Sequence, residues 1–412
     1  MIPRFITKTI IDCVKHFPIT LLTGPRQIGK TTELFNSFNS KGFNYISLDD
    51  SFNLAFARKD PRSFLDLHPS PLIIDEAQKA PELFVEIERI VNESRLKRGN
   101  MESNGMYILS GFQRKDLLDR AEESLSGRVA ILDMNNLSIN EILGKDNSPF
   151  EVNLAKDSQR SLRYTLNESQ AFEYIVKGFF PVLYADSSIN ISVFYSSYIT
   201  TYLGKDLRDL ININDEFKFL NFLKLLASNT GEELVYDNYA KNIGVSINTI
   251  KSWTSVLIKT AIIYLVEPYN EESIVKRVVK RPKMYFFDTG LAAYLCGITD
   301  AKTLQNSFLK ERFFETFVFN EIRKSFMNEG IMQTLYYYRD SEQNEVDMIL
   351  VREGKISCVE IKAGQNFNSS DTKAFKKLIN SKFVHGKNAI VCTADKISML
   401  NDGTLLLPIS SI

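Results

Sequence analysis

Residues 24–31 are the part of the sequence whose residue types and spacing point most directly to chemistry. They read GPRQIGKT, follow the apolar run ITLLT and precede the helix-like run TTELFNSF. In a strand–loop–helix of the form G-x-x-x-x-G-K-S/T, backbone N–H groups surround phosphates, the lysine reaches the β- and γ-phosphate oxygens, and the hydroxyl binds Mg²⁺. We therefore predict a nucleotide-binding loop formed by Gly24, Pro25, Arg26, Gln27, Ile28, Gly29, Lys30, Thr31 and Thr32.

Two acidic residues at the end of a second apolar run extend this interpretation. The run LIIDE occupies residues 72–76 and ends in Asp75 and Glu76. At the carboxyl end of a strand beside the loop, Asp75 is expected to bind Mg²⁺ together with Thr31. Glu76 is expected to activate a water molecule for in-line attack on the γ-phosphate. The two features together predict ATP and Mg²⁺ as ligands.

Ser110 and Arg128 are further candidates for the same site. Ser110 ends a third strand-like run, YILS, where a polar side chain could sense the γ-phosphate. Arg128 stands just before a fourth run, VAILD, and an arginine there could stabilise the transition state within the chain or in a neighbouring copy. The alternative for Arg128 is a surface residue at the start of a strand.

A second set of acidic residues lies in the last hundred residues. Asp347 belongs to one strand-like run, and Glu360 and Lys362 alternate on the next, so they share a face. If the two strands pair through a turn at residues 353–354, Asp347 approaches Glu360. Two carboxylates and a lysine can hold a divalent ion and orient a water molecule for phosphodiester cleavage. The alternative is a structural hairpin with an ion pair across one face, or a nuclease-like fold without activity.

Residues 234–269 have the pattern of a helix-turn-helix followed by a strand. Gly244 marks the turn, Ser246 is a typical helix N-cap, and Ile250 and Trp253 lie on one face of the second helix. A wing behind such a unit can contact DNA phosphates. The cations expected to do so are Lys276, Arg277, Lys280, Arg281 and Lys283. The alternative is a packing module with an exposed basic loop.

The order of strand-like and helix-like runs predicts an α/β protein of several domains. In residues 1–143, apolar strand runs alternate with helical patterns, which is typical of a parallel sheet covered by helices. A polar stretch at residues 144–170 suggests a boundary. We predict an ATPase domain at 1–143, a helical linker or lid at 144–216, a winged-helix (helix-turn-helix) domain at 217–300 and a mixed α/β domain at 301–412.

Composition excludes several classes of protein. The 412 residues include 50 Lys plus Arg and 50 Asp plus Glu, so bulk charge favours neither nucleic acid nor a membrane surface. Four scattered cysteines and three separated histidines exclude a zinc finger or zinc ribbon. The sequence has neither a secretory signal pattern nor an apolar run long enough to span a bilayer. We expect a cytoplasmic protein without a membrane segment.

Several motifs together resemble one family. They are GPRQIGKTT, LDD (48–50), LIIDEAQ (72–78), LSGFQ (109–113), SGRVAIL (126–132), TYLGKDLRDL (201–210), VYDNYAKNIGVSINTIKSW (235–253) and KRPKMYFFDTGLAAYLCGI (280–298). They resemble the AAA+-like P-loop ATPases of a bacterial and archaeal group over nearly the whole chain. The resemblance implies an AAA+ fold, ATP and Mg²⁺, and a homo-oligomer in which a neighbour's arginine completes the site. Phe112 departs from the family, which usually has a small residue there.

The C-terminal segment resembles the PD-(D/E)xK nuclease fold. That resemblance implies that Asp347, Glu360 and Lys362 occupy the metal-binding and water-activating positions, and that Glu315 is the acidic residue of the first helix. The sequence as a whole predicts a Mg²⁺-dependent ATPase that acts on or with DNA. One alternative is a nucleotide-gated DNA- or protein-binding switch with little turnover. The other is a metal-dependent DNA nuclease whose ATPase is regulatory.

Overall fold

The computed structural model describes residues 2–112, 125–162, 164–201, 216–269, 281–340, 342–378 and 384–412. Three residues of the predicted basic run, Lys276, Arg277 and Lys280, lie outside the described residues. So do residues 202–210 of the family motif that begins at Thr201.

The N-terminal region contains a five-stranded parallel sheet in the order β2-β3-β4-β1-β5. Its strands are β1 (Ile19–Thr23), β2 (Asn44–Ser47), β3 (Leu72–Asp75), β4 (Tyr107–Ser110) and β5 (Val129–Asp133). Every residue of β1, β3 and β4 is buried, as expected for apolar runs in a covered parallel sheet. The four strand-like runs named in the sequence are confirmed as β1, β3, β4 and β5.

Five helices accompany this sheet. They are α1 (Ile6–His16), α2 (Lys30–Phe38), α3 (Ser51–Lys59), α4 (Pro61–Leu67) and α5 (Glu82–Arg98). Asp50 and Asp60 cap α3 and α4 by accepting the backbone N–H groups of Asn53 and Ser63. The longest of them, α5, ends before Gly99, whose φ of +91° stops the helix.

The middle of the chain is mostly helical. Its helices are α6 (Ile139–Ile142), α7 (Leu154–Ser161), α8 (Glu168–Lys177), α9 (Val182–Ala185), α10 (Ile191–Thr201), α11 (Glu216–Ser228), α12 (Tyr236–Ile243), α13 (Ile247–Lys259), α14 (Thr289–Leu295) and α15 (Ala301–Gln305). A small antiparallel sheet in the order β6-β8-β7 contains β6 (Glu232–Glu233), β7 (Ile263–Val266) and β8 (Lys283–Phe286). The polar stretch at 144–170 contains α7, which packs against the last turn of the chain (Ile409–Ser411).

The C-terminal region combines a long helix, α16 (Lys310–Met327), with a mixed sheet in the order β14-β15-β13-β11-β10-β9. Its strands are β9 (Leu335–Arg339), β10 (Glu345–Arg352), β11 (Lys355–Lys362), β12 (Val384–His385), β13 (Ala389–Cys392), β14 (Ser398–Met399) and β15 (Leu405–Pro408), with β12 beside β11. Glu353 and Gly354 have φ of +52° and +73° and form the predicted turn between β10 and β11. The register pairs Met348 with Val359, so Asp347 and Glu360 are neighbours across the two strands.

One hydrophobic cluster runs through all three regions. It includes Ile6 beside the first sheet, Phe172 and Phe286 in the middle, and Phe317 and Val391 in the C-terminal region. A separate cluster covers the other face of the first sheet. The three regions therefore pack as one body around a shared core. Within the described ranges, no helix is long and apolar enough to cross a membrane.

Candidate functional site

The predicted phosphate loop lies between the carboxyl end of β1 and the first turn of α2. Gly24 has φ of +144°, and a Cβ there would clash with the carbonyl oxygen of Met134. Gly29 has φ of +90° and directly precedes α2. Only glycine meets the first requirement, and it readily adopts the second conformation. The loop therefore leads into a helix N-terminus, where backbone N–H groups and the helix dipole favour a phosphate.

Lys30 lies in the interior of this loop. Its side chain is almost fully buried, and its Nζ donates hydrogen bonds to the carbonyl oxygens of Gly24 (2.9 Å) and Pro25 (2.6 Å). Burial lowers the pKa of Lys30 to about 8, and the nearby Glu76 and Asp75 carboxylates offset part of that effect. Phosphate oxygens beside this ammonium group would stabilise its charged form.

Asp75 accepts hydrogen bonds from three hydroxyl groups of the site. Its Oδ2 accepts hydrogen bonds from the Thr31 hydroxyl (2.7 Å) and the Tyr45 hydroxyl (2.9 Å), and the Ser110 hydroxyl donates to its Oδ1. The carboxylate is 4% exposed. A threonine hydroxyl and a carboxylate in contact are oxygen ligands that Mg²⁺ prefers, so these residues fit that ion.

Glu76 has an unusual backbone conformation and a partly buried side chain. Its φ of +58° lies in the left-handed region, which non-glycine residues adopt mainly where the surrounding structure requires it. The Gln78 side-chain amide donates to Glu76 Oε2. Burial raises the pKa of the Glu76 carboxyl above its ordinary value, although Gln78 and Lys30 act in the opposite direction. A raised pKa makes a carboxylate a stronger proton acceptor.

Of these residues, Lys30, Thr31 and Glu76 line one end of a cavity of about 660 Å³ whose other end is apolar. The side chains at the apolar end come from three distant segments of the chain: Ile2, Leu137, Pro181, Val182, Ala185 and Tyr198. Sequence reasoning did not find them, because no local spacing relates them to the phosphate loop. The cavity has the size and mixed polarity of a small-molecule site.

The sequence did not reveal the role of Arg4 either. Its buried guanidinium donates to the carbonyl oxygens of Ile28 (2.8 Å) and Asn135 (2.6 Å) and to Glu141 Oε1 (3.1 Å). These bonds join the chain's first segment to the phosphate loop and to the segment that follows β5. Arg4 therefore fixes the phosphate loop relative to these two segments.

Phe112, the residue that departs from the family pattern, has a specific contact in the phosphate loop. The Arg26 guanidinium lies 3.8 Å from the centre of its ring. This is the geometry of a cation–π interaction, and Phe112 is 6% exposed. This bulky residue therefore packs against the phosphate loop, two residues after Ser110, the residue predicted to sense the γ-phosphate.

The C-terminal candidate residues also lie in one neighbourhood. Asp347 Oδ2 accepts the backbone N–H of Ile361 (2.8 Å), and Lys362 Nζ lies 3.3 Å from Glu360 Oε1. Glu315 bonds instead with the Tyr285 hydroxyl (2.6 Å). In the part of the chain that the structure describes, no group of three or more His, Cys, Asp or Glu side chains is arranged to hold a metal ion.

Comparison with family models decides the class of the N-terminal region. Residues 16–143, which contain the phosphate loop and the Asp75–Glu76 pair, match the model described as an AAA domain. The N-terminal region is an AAA domain of the P-loop type. Residues 168–302 and 310–412 match two models described as domains of unknown function, DUF8612 and DUF4143.

The chain is also similar, at low sequence identity, to other whole proteins and to solved structures. Uncharacterized proteins of Mycobacterium tuberculosis and Mycobacterium bovis are each 25% identical over 404 residues, which cover 96% of this chain and 81% of each relative. A Walker-type ATPase of Pyrococcus abyssi is similar at 14% identity and a TM-score of 0.43, over 70% of this chain and 94% of that protein. A RuvB mutant of Thermotoga maritima is similar at 12% identity and a TM-score of 0.28, over 63% and 88%. Both TM-scores are too low to define a shared fold.

Arg128 lies far from the phosphate loop of its own AAA domain. It stands just before β5, which runs parallel to β1. Arg128 therefore lies at the amino ends of the strands, whereas the loop follows the carboxyl end of β1. Its guanidinium donates to Asn92 Oδ1 (2.7 Å) and the Ser126 carbonyl (2.8 Å) and lies 3.4 Å from Glu88. Within one chain Arg128 therefore does not face the phosphates. A role in a neighbouring copy stays a prediction.

The helix-turn-helix pattern corresponds to α12 and α13, but the basic run needs a correction. Ser246 Oγ accepts the backbone N–H of Thr249 (3.1 Å), as predicted for an N-cap. Lys283, which we expected on an exposed loop beside DNA, is instead buried with its ammonium group among carboxylates. Arg281 is exposed. The pattern of charges alone did not distinguish an exposed cation from one that pairs inside the protein.

Proposed function

We propose that this protein binds ATP with Mg²⁺ and hydrolyses it to ADP and phosphate. The observation that carries this proposal is the arrangement around Asp75, which contacts the Thr31 and Ser110 hydroxyls beside the phosphate loop and precedes the partly buried Glu76. The AAA domain match supports the same conclusion.

The cavity suggests how the nucleotide lies. The polar end, at Lys30 and Thr31, suits the triphosphate, and the apolar end, at Val182 and Tyr198, suits the base. Val182 and Tyr198 belong to the region that follows the AAA domain. A bound nucleotide would therefore contact both regions, which supports a link between nucleotide binding and the position of the middle region.

The chain's own residues supply the steps of hydrolysis. Lys30 and the backbone N–H groups of the loop bind the phosphate oxygens and orient the γ-phosphate. Thr31 and Asp75 would hold Mg²⁺, which neutralises charge on the phosphate oxygens when it is bound. Glu76 accepts a proton from the water molecule that attacks the γ-phosphorus. Ser110 fixes the Asp75 carboxylate through its hydroxyl group.

Replacing Lys30 with alanine tests nucleotide binding. Loss of a buried cation from a charge pair costs about 2–5 kcal/mol, so ATP affinity should fall by about 30-fold or more. Titration with a fluorescent ATP analogue measures the affinity. Lys97→Ala is the matched control, because Lys97 is exposed on α5. Unchanged affinity in Lys30→Ala would contradict the proposed site.

DNA binding is a second candidate function, supported by the faces of α13. Ile250 and Trp253 are buried, whereas Asn248, Lys251 and Ser252 are exposed on this second helix of the helix-turn-helix pattern. Exposed polar side chains on such a helix can contact base edges and phosphates. A protein that combined this function with nucleotide binding would act as a nucleotide-gated DNA-binding switch.

Salt dependence tests DNA binding. If Lys251 and Arg281 each contact a phosphate, replacing either with alanine should reduce the slope of log K against log salt by about 0.9 on duplex DNA. Fluorescence anisotropy at several salt concentrations measures the slope. Lys302→Ala is the control, because Lys302 is exposed on α15, outside the helix-turn-helix. Equal slopes in all variants, or no binding by the unmodified chain, would contradict this function.

A further inference from the structure

A buried lysine lies among the acidic residues of the C-terminal region. Lys283 Nζ is 2.9 Å from Glu315 Oε1, 2.5 Å from Glu345 Oε1 and 3.8 Å from Asp347 Oδ1. The Lys283 side chain is 3% exposed. The Tyr285 hydroxyl donates to the same Glu315 oxygen (2.6 Å). One ammonium group is therefore the shared partner of three carboxylates.

These residues do not fit the metal ion that the nuclease resemblance implies. A divalent ion needs the carboxylate oxygens at about 2.0–2.6 Å, and a neighbouring ammonium group repels it. Two of the acids expected to face the metal, Glu315 and Asp347, face Lys283 instead. The acidic residues are those expected of a metal site, but the cation that they surround is the Lys283 ammonium group.

We propose that Lys283 is the resident cation of this cluster and takes the place of a divalent metal ion, so that the C-terminal region binds no metal there and does not cleave DNA by metal catalysis. The ion pairs of the cluster hold β8 against the C-terminal region. This inference is independent of ATP binding and hydrolysis by the AAA domain.

The electrostatics of the cluster agree with a charged lysine. Burial alone would lower the pKa of Lys283, but the carboxylates of Glu315, Asp347 and Glu345 raise it above its ordinary value. Burial raises the pKa of Glu315 to about 7, although Lys283 acts in the opposite direction. Removing the ammonium group would leave the partly buried Glu315 and the buried Asp347 without this cation, which is costly.

Glu360 is the acid of the group that Lys283 does not contact. Its Oε2 is buried and has no hydrogen-bond partner among the described residues. Burial and the neighbouring Asp347 carboxylate raise the pKa of Glu360 well above its ordinary value, although Lys362 opposes them. Lys362 Nζ lies 3.3 Å from Glu360 Oε1, so this acid also faces a protein cation.

The cation and the acids come from different parts of the chain. Lys283 lies in the segment that matches the first domain of unknown function, and Glu315, Glu345 and Asp347 lie in the segment that matches the second. The C-terminal segment by itself therefore contains the acidic residues of a metal site, whereas Lys283, the cation that pairs with three of them, lies outside that segment.

Thermal unfolding of the full-length chain, without nucleotide and with or without millimolar Mn²⁺, tests the inference. Mn²⁺ should change the unfolding midpoint of the unmodified chain by no more than it changes that of Asp347→Asn. Lys283→Ala should unfold at a lower temperature, and Mn²⁺ should raise its midpoint by about 2–4 °C or more. Lys283→Ala combined with Asp347→Asn should lose that response. Lys324→Ala is the matched control, because Lys324 is equally buried but contacts one carboxylate, that of Glu321 (2.8 Å).

A second measurement does not depend on the folding of Lys283→Ala. Electron paramagnetic resonance counts Mn²⁺ bound to the unmodified chain and to Asp347→Asn, and equal counts support the inference. Mn²⁺ bound to the unmodified chain and lost in Asp347→Asn would overturn it. A folded Lys283→Ala protein that does not respond to Mn²⁺ would overturn it as well. If Lys283→Ala does not fold, the resonance result decides.

Discussion

Replacing Glu76 with glutamine is expected to lower the rate of ATP hydrolysis by about 10²–10⁴-fold while ATP affinity changes little. Glutamine keeps the size of the side chain but cannot accept a proton from water. The Thr31–Asp75 contact and the Lys30 ammonium group are unaffected by the change, so binding should persist. Steady-state phosphate release measures the rate, and titration with a fluorescent ATP analogue measures the affinity.

The pH dependence provides an internal check on this assignment. A general base acts in its deprotonated form, and burial raises the pKa of the Glu76 carboxyl. The rate of the unmodified protein should therefore fall as the pH decreases through that raised pKa, at a higher pH than for an ordinary glutamate. The residual rate of Glu76→Gln should lack this decline.

Other outcomes of the same experiment separate the proposed functions. Glu82→Gln is the control, because Glu82 is an exposed acid at the start of α5. If Glu76→Gln loses ATP affinity as severely as Lys30→Ala, the roles assigned to the two residues are wrong. If the unmodified protein binds ATP but releases no phosphate, with or without DNA, the nucleotide-gated switch becomes the better account.

The phosphate-binding end of the cavity could be predicted because its determinants are local. The glycines and Lys30 lie in one loop, and the carboxyl ends of parallel strands meet at one edge of a sheet, which brings Asp75 beside Thr31. The apolar end could not be predicted in this way. Val182 and Tyr198 reach the cavity because α9 and α10 pack over the AAA domain, and that packing depends on the whole core.

The C-terminal hairpin and Lys283 illustrate the same limit. Alternation with a period of two and the turn at Glu353 and Gly354 were sufficient to pair Asp347 with Glu360. The position of Lys283 depends on a strand from another region, β8, whose pairing with β7 and β6 directs its first residue toward α16. A run of lysines and arginines in a sequence gives no information about which member is buried.

Asp288, two residues after the end of β8, connects the AAA domain to the middle region. Its Oδ2 accepts hydrogen bonds from the Phe179 backbone N–H (2.8 Å) and the Asn136 side-chain amide (2.9 Å). Its Oδ1 accepts from the Tyr195 hydroxyl and from the Leu291 backbone N–H, both at 2.8 Å. The side chain is 2% exposed, so these four donors have little access to water. One carboxylate thus satisfies donors from four separate segments.

Replacing Asp288 with alanine is expected to reduce the free energy of unfolding by about 3–5 kcal/mol, because several buried donors lose their acceptor at once. Asp300→Ala is a matched control. Asp300 caps the next helix, α15, through the Thr303 backbone N–H at the same 2.8 Å, but it is exposed. Its loss should cost only about 0.5–2 kcal/mol. Urea unfolding of both variants measures the two values.

The comparison isolates what Asp288 adds to an ordinary helix cap. If both variants lose the same stability, Asp288 acts only on its own helix, and the bonds to Asn136 and Tyr195 contribute nothing measurable. A larger loss in Asp288→Ala assigns the difference to the contacts between segments. Because Asn136 directly precedes Leu137, which lines the nucleotide cavity, that result would also predict weaker ATP binding in Asp288→Ala than in Asp300→Ala.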